Sequence, residues 1–499
     1  MASTSSVHLQ CVSASFALLL LAGCAVGPDF KKPAAPNVSS YTAQPLTPPA
    51  ATANVLGGDA QRFIEAADVS GEWWTAFRSP AINDLVALAL KNNADLEAAN
   101  AALRSSHNSA LAARGAFLPQ VGFGFDATRQ LTPAGALAPT PADNSSLYNL
   151  FTPQLTVSFV PDVFGLTRRT VEAANAQAQA THYAMLATYT TLVNNVVSTA
   201  IQEAAVREQV DATRQMVAAE TKALDILQYQ LDKGYASGAD YATQKAALAA
   251  ATASLPPLIK QQVQLHNQLA VLTGRFPAQM PPSTLRLADL TLPADLPVSL
   301  PAELVAQRPD ILQAQANLHA ASAGVGIAIA NRLPNITLSG AAGNSALAFG
   351  DLFTPGTDFW SIGAALTAPI FQGGTLLYQE RAARGTYDQA AAQYRGTVLT
   401  AFQNVADTLT ALQQDADGLK SAAAADDAAK ASLDITQYQL QAGYAATLGL
   451  VTSEQAYQQA HIGLLQAQAS RYADTAALFQ ALGGGWWHRT DLNGDKNDK

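Results

Sequence analysis

Leu224-Asp-Ile-Leu-Gln-Tyr-Gln-Leu231 recurs as Leu433-Asp-Ile-Thr-Gln-Tyr-Gln-Leu440, an offset of 209 in a chain of 499 residues. The same offset relates Asn195-Val196 to Asn404-Val405, Gly234-Tyr235 to Gly443-Tyr444, and Gly274 to Gly483. Upstream, Asp95, Leu103 and Leu118-Pro119 match Asp310, Leu318 and Leu333-Pro334 at an offset of 215, so the slip falls in the loops between. Ordered matches at a fixed spacing mark a duplicated structural unit. The chain must therefore fold as two copies of one pattern.

The pattern can be read from the first copy. Residues 81–117 are rich in Ala, Leu, Asn and Glu and read as helix. Leu118-Pro119 ends it, because proline disfavours helix at the residue before it. Val121, Phe123 and Phe125 then alternate with Gly122, Gly124 and Asp126, and Leu155, Val157 and Phe159 alternate with Gln154, Thr156 and Ser158. This predicts strands over about 120–129 and 152–160, with a Pro/Ala/Thr-rich loop at 131–146. The second copy predicts strands over about 335–343 and 359–370. A helical pattern without proline follows Gly165 and runs to 231, roughly 100 Å if continuous. Such a rod must pack against neighbours as a coiled coil or helical barrel. Glycines in Asp232-Lys-Gly-Tyr-Ala-Ser-Gly-Ala-Asp240 and Gln441-Ala-Gly-Tyr-Ala-Ala-Thr-Leu-Gly449 permit the positive φ that reverses the chain.

Strands of about ten residues match the span of a membrane β-strand, and one face of each is apolar while the other is small or polar. In a bilayer every backbone polar group needs a partner, so an open four-stranded sheet cannot span it alone. Two chains would give eight strands, which close on a filled interior. Three would give twelve, wide enough for water. A soluble sheet packed on the helices is the competing arrangement. Apolar residues make up 49% of the chain and charged ones 13%, yet no run of 18 apolar residues occurs, which excludes a multi-span helical membrane protein. The net charge of −9 offers no basic patch for a nucleic acid.

Both cysteines, Cys11 and Cys24, precede the repeats. Phe16-Ala-Leu-Leu-Leu-Leu21 is a short apolar core followed by Ala22-Gly23-Cys24, the pattern of a bacterial lipoprotein signal, although residues 2–15 hold no Lys or Arg. Cys24 is therefore the expected lipidation site, carrying N-acyl and S-diacylglycerol groups, palmitate among them, after removal of residues 1–23. Ala25 in place of aspartate favours sorting to the outer membrane. The seven histidines lie in no zinc-binding spacing, Gly324-Val-Gly326 lacks a dinucleotide fingerprint, and no nucleophile-elbow motif occurs. No other cofactor, no metal and no enzymatic activity are expected. Asp491-Leu-Asn-Gly-Asp-Lys-Asn-Asp498 places its glycine fourth and lacks the closing glutamate of a calcium loop, so it reads as a polar tail.

Several segments together resemble the TolC-like outer membrane factor family, in its NodT/OprM-type efflux lipoprotein branch. They are Cys24-Ala-Val-Gly-Pro-Asp-Phe-Lys-Lys-Pro33, Trp73-Trp74-x-x-Phe77 with Pro80 and Leu85, and Asp162-Val-Phe-Gly-Leu-Thr-Arg-Arg169 with Glu172-Ala-Ala. Arg308-Pro-Asp-Ile311, Leu333-Pro-x-Ile336 and Pro369-Ile-Phe-Gln-Gly-Gly374 continue the series in the second copy. The resemblance implies a homotrimer whose four strands per chain form a twelve-strand barrel, with a long helical tunnel below it. It implies a passive outer-membrane channel in a tripartite efflux system with a periplasmic membrane-fusion adaptor and an inner-membrane pump, commonly of the resistance-nodulation-division class. It places adaptor contact and the closable mouth at the tips, here Gly234, Tyr235, Gly238 and Asp240 in one copy and Gly443 and Tyr444 in the other. The tyrosines could equally cap the coiled coil. Acidic residues after the tips line the constriction in this family; Asp240 supplies one, and Glu454 is the candidate in the second copy. A lipid-anchored periplasmic coiled-coil scaffold without a pore, and the outer-membrane duct of a type I secretion system, are the alternative readings. The expected divisions are a signal peptide (1–23), a lipidated extended segment (24–80), two repeats (81–290 and 291–485) and a polar tail (486–499).

Overall fold

The computed structural model describes residues 25–52, 54–131 and 147–492. Cys24, the signal segment, most of the 131–146 loop and residues 493–499 lie outside the described residues. In chain order the elements are β1 (Arg62–Glu65), α1 (Pro80–Asn92), α2 (Ala94–Arg114), β2 (Gln120–Leu131), β3 (Leu147–Phe159), α3 (Leu166–Asp232) and α4 (Gly238–Leu272). Then come β4 (Asp295–Val298), α5 (Pro301–Gln307), α6 (Pro309–Ala330), β5 (Asn335–Asn344), β6 (Asp358–Thr367), α7 (Thr375–Gln441) and α8 (Thr447–Ala481). The two long helices α3 and α7 have 67 residues each, about 100 Å of rise. Their return helices α4 and α8 have 35 each.

The duplication recurs in the contacts. Residues 81–117 are not one helix, because the chain turns extended at Asn93. The Asn93 side chain accepts from the backbone N–H of Leu96 and donates to the carbonyl of Leu272, both at 3.0 Å. In the second copy Arg308 interrupts the helical path before Pro309, and its guanidinium donates to the carbonyl of Ala481 at 2.9 Å. Leu272 and Ala481 are 209 residues apart, and Asn93 and Arg308 are 215 apart. Two different side chains thus perform one task, capping the end of a return helix.

The chain forms two compact units, each drawing on both copies. The first comprises the described part of Met1–Pro33, with Leu103–Thr181 and Ala314–Tyr394. It holds an antiparallel sheet of order β2-β3-β5-β6. Val121, Val157, Gly340 and Ile362 stand in register across all four strands, as do Phe123, Leu155, Ala342 and Trp360. The intervening rows are Gly122, Thr156, Ala341 and Ser361, then Gln120, Ser158, Ser339 and Gly363. Because side chains alternate between faces, one face is a continuous apolar surface and the other small and polar. Phe123 and Trp360 are each 74% exposed and Ile362 83%, so no described residue covers the apolar face at these positions. β3 begins five residues before the expected start at 152, and β6 stops at Thr367 rather than 370. Pro369 lacks the N–H that would extend the ladder.

The second unit comprises Ala34–Ala102, His182–Gln313 and Arg395–Lys499, so far as they are described. Trp73, Trp74 and Phe77 sit in a 3-10 turn and are buried, with Trp73 stacked on Phe479 at 5.1 Å between ring centroids and Phe77 beside Tyr472. The short strands β1 and β4 pair in parallel, and Arg62 bonds Asp295 across them. The expected polar tail begins as a docked segment. Asp68 accepts hydrogen bonds from Trp487 Nε1 at 3.0 Å and His488 Nε2 at 2.6 Å, and Arg489 pairs with Glu72 at 3.1 Å. Burial alone would raise the Asp68 carboxyl; these hydrogen bonds prevail and hold it below its usual range.

Gly274 and Gly483, repeat-related, both end return helices at positive φ, +69° and +101°. A Cβ on Gly274 would lie 2.1 Å from the carbonyl oxygen of Asn92. Gly274→Ala should therefore destabilise the protein by roughly 1–3 kcal/mol, measured as a fall in the thermal unfolding midpoint of the purified protein.

Candidate functional site at the helical tips

Each long helix ends in the same motif. Gly234 and Gly443 adopt φ of +77°. At the first tip the N–H of Tyr235 reaches the carbonyl of Gln230 at 2.8 Å, and that of Gly234 reaches Leu231 at 2.9 Å. At the second, Tyr444 bonds Gln439 at 2.7 Å and Gly443 bonds Leu440 at 3.1 Å. This is the Schellman pattern, in which a left-handed glycine lets the last free carbonyls be satisfied. Gly238 is different: its φ is not positive and it opens α4, so the glycine is not needed for the reversal.

The tyrosines that follow the glycines do not fold back on the coil. Tyr235 is 83% exposed and Tyr444 86%. The helix turns leading to them carry further exposed apolar side chains at repeat-related positions, Ile226 and Tyr229 before the first tip and Ile435 and Tyr438 before the second. The last four lie within the repeated octapeptide, so the signal for them was the duplication itself.

The starts of the return helices differ. Ser237 accepts from the N–H of Asp240 at 3.1 Å, and the Asp240 carboxylate accepts from the Ser237 N–H at 3.2 Å and hydroxyl at 2.6 Å. Asp240, expected at a constriction, is thus engaged in a capping box. Its counterpart position holds Gly449, and the N-cap there is Ala446, with no side-chain bond.

Glu454, the other acidic candidate, faces Glu220 of α3, which in turn accepts from the Gln244 amide of α4. Glu220 and Gln244 are buried and Glu454 half-buried; Oε2 of Glu454 and Oε1 of Gln244 have no partner. Three helices therefore meet at two carboxyl groups that form no salt bridge among the described residues. Burial, then the charge of Glu220 and the hydrogen bond with it, push the Glu454 carboxyl up to about 8. The Glu454 carboxyl is therefore held in its protonated form at neutral pH, beside Glu220 of α3. A second carboxyl pair sits where fully buried Arg471 donates to the Asp59 carbonyl at 2.9 Å. There burial and a hydrogen bond with Asp474 raise Asp415 to about 7. Neither Glu220, Gln244 nor Asp474 stood out in the sequence, since nothing in one helix's pattern shows what a distant helix brings beside it. Among the described residues no three His, Cys, Asp or Glu side chains are grouped to hold a metal, and no helix is long and apolar enough to cross a membrane.

Residues 85–275 and 300–484 match the outer membrane efflux protein family, one segment in each copy. The chain belongs to this family. The pyoverdine export outer membrane protein OpmQ of Pseudomonas putida is 29% identical over 453 residues, covering 88% of this chain and 93% of that one. The toluene efflux pump outer membrane protein TtgF of Pseudomonas putida is 28% identical over 470 residues, covering 93% and 95%. The crystal structure of the Campylobacter jejuni CmeC outer membrane channel shares the fold, with a TM-score of 0.83, 21% identity and coverage of 94% and 97%. This efflux protein is accordingly a component of the outer membrane of Gram-negative cells.

Two predictions concern the tips. The Glu454 carboxyl titrates above its unfolded value, so the stability it lends is present below the ordinary carboxyl range and lost as pH rises through about 8. The unfolding midpoint of the native protein should drop between pH 5 and pH 8, and that of Glu454→Gln should drop less. Ala446 has φ −89° and ψ 155°, close to the −87° and 153° of Ser237. Ala446→Ser should therefore supply the missing cap and stabilise the second tip by about 0.5–1 kcal/mol, read as slower amide exchange in the first turn of α8.

Proposed function

We propose that this efflux protein is the passive outer-membrane channel subunit of a tripartite efflux system, working as a homotrimer. The observation that carries the reading is the four-stranded sheet with one continuous apolar face and two outer edges, on β2 and β6, that have no strand partner among the described residues. Lipid against the apolar face and water against the small, polar face is the arrangement of a membrane barrel. Unpaired edges are tolerated in water but not in hydrocarbon, so each β2 would pair with a β6 of the next copy. Three copies would close a twelve-strand barrel whose inner face, lined by Gly122, Thr156 and Ser361, leaves room for solutes.

The exposed tyrosines and isoleucines of the two tips are the surface for a periplasmic membrane-fusion adaptor, which in turn would join an inner-membrane pump, in the resistance-nodulation-division class favoured by the family resemblance. The cargo is small molecules. The relatives' names give two different cargoes, pyoverdine and toluene, which supports a duct whose selectivity lies with the pump and adaptor. Glu454 would act beside the mouth, by holding α8 against α3, rather than by narrowing the opening.

Purified protein in planar bilayers should give discrete conductance steps, and a silent membrane across preparations would contradict the channel. Ile362→Arg, on the apolar face, should cost roughly 2–4 kcal/mol of barrel stability if it lies at midplane depth, measured as loss of folded protein in the outer membrane. Ser361→Arg, on the opposite face, should leave that amount unchanged and lower single-channel conductance. Lipidation at Cys24 remains part of this proposal: Cys24→Ala should abolish incorporation of radioactive palmitate, and continued labelling would refute that site.

A further inference from the structure

Between β5 and β6 the chain makes a short folded loop, residues 345–357. The N–H of Ser345 donates to the carbonyl of Thr357 at 2.8 Å and closes its neck. Inside it the Thr357 hydroxyl bonds the carbonyls of Leu352 and Thr354, both at 2.9 Å, and the N–H of Thr354 reaches the carbonyl of Asp351 at 3.1 Å. Leu352 is buried as the loop's own core, yet Leu347 and Phe349 are exposed and Phe353 is 82% exposed. Asp351 is the loop's one charged residue. A well-bonded loop that turns three large apolar side chains outward marks an interaction surface.

The position of the loop indicates its partner. Phe349 meets Phe125 of β2 edge-on at 6.3 Å between ring centroids, and Phe151 of β3 at 5.8 Å. The backbone secures this contact. The N–H of Phe151 donates to the carbonyl of Ala346 at 2.9 Å, and the N–H of Ala346 returns to the carbonyl of Phe151 at 3.1 Å. Pairing of β2 with β3 runs unbroken from Gln120–Ser158 to Leu131–Leu147. Strand alternation therefore puts Phe125 and Phe151 on the face of Val121, Phe123, Leu155 and Val157. That is the apolar face. The loop leaves β5 and folds over this side of the sheet, away from the small, polar side that would line the lumen.

Its depth follows from the strand. Phe159 ends β3 beside α3, and Phe151 lies eight residues from it, about 26 Å along the strand and about 20 Å along the membrane normal at a tilt of about 40°. The apolar band of a membrane barrel is about 25 Å tall and bordered by aromatic girdles. Phe349 thus stands near the boundary remote from the helices. One row farther out on the same face is Arg129, opposite Asn149, where a guanidinium reaches the level of lipid headgroups.

We infer that the β5–β6 loop is a surface for the lipopolysaccharide of the outer leaflet, with Leu347, Phe349 and Phe353 among its acyl chains and Arg129 level with its phosphates. The inference rests on the channel reading, which puts the apolar face in the membrane with the helices on the periplasmic side.

The test places the photoreactive residue p-benzoylphenylalanine at position 353, or in a parallel variant at position 347, of the full-length protein in cells. Irradiation of intact outer membranes should give an adduct carrying lipid A, detected by mass spectrometry. The same residue at position 362 on the apolar face should link to membrane lipid, and at position 361 on the opposite face it should give no lipid adduct. Links from both loop positions to phospholipid alone, or to a neighbouring copy alone, overturn the inference. So does the absence of any lipid adduct from the loop while position 362 is linked to lipid. Absence of lipid adducts at position 362 as well overturns the channel reading beneath it.

Discussion

The outer edges of β2 and β6 set the terms for everything else in this protein. Each presents a row of backbone N–H and C=O groups with no strand beside it among the described residues, directly adjoining an apolar face that no described residue covers at Phe123, Trp360 and Ile362. In water such edges can be solvated, but the apolar face would then remain wet at considerable cost. In hydrocarbon the face is satisfied and the edges are not. Only pairing edge to edge with further copies removes both penalties. Under the proposed channel reading, oligomerisation is thus a condition of placing the sheet in a membrane.

Duplication supplies this sheet economically, because each copy contributes one antiparallel pair and β3 joins β5 across the copies. The same duplication supplies two long helices and two tips, and selection has then made them unlike. One return helix is closed by Asn93 and the other by Arg308; one tip carries a capping box at Ser237 and Asp240, the other begins at uncapped Ala446. The less secured tip belongs to α8, the helix whose Glu454 stands beside the Glu220 carboxyl of α3.

Much of this was legible in the sequence because it is periodic. The 209-residue offset located both tips, and the period-two alternation of Val121, Phe123 and Phe125 against small residues placed the strands. The positive φ of Gly234 and Gly443 follows from glycine at a helix end. What the sequence did not show is where distant segments meet. Asn93 breaks a helix that its neighbours favour, since its side chain caps Leu96 and reaches Leu272. The sequence marks Asp240 as an acidic residue after the tip, and its bonds to Ser237 appear only in the structure. Glu454 acquires a meaning only with Glu220 and Gln244 beside it. The C-terminal residues 486–489 read as tail because Asp68 and Glu72, more than 400 residues earlier, are what anchor them.

The closed barrel of three copies is the claim on which the others rest, and its stoichiometry can be weighed directly. Native mass spectrometry of the protein released from the outer membrane in mild detergent should give one species with the mass of three lipidated chains. A predominant monomer or dimer, stable across detergents and concentrations, would contradict the pooling of four strands per chain into twelve.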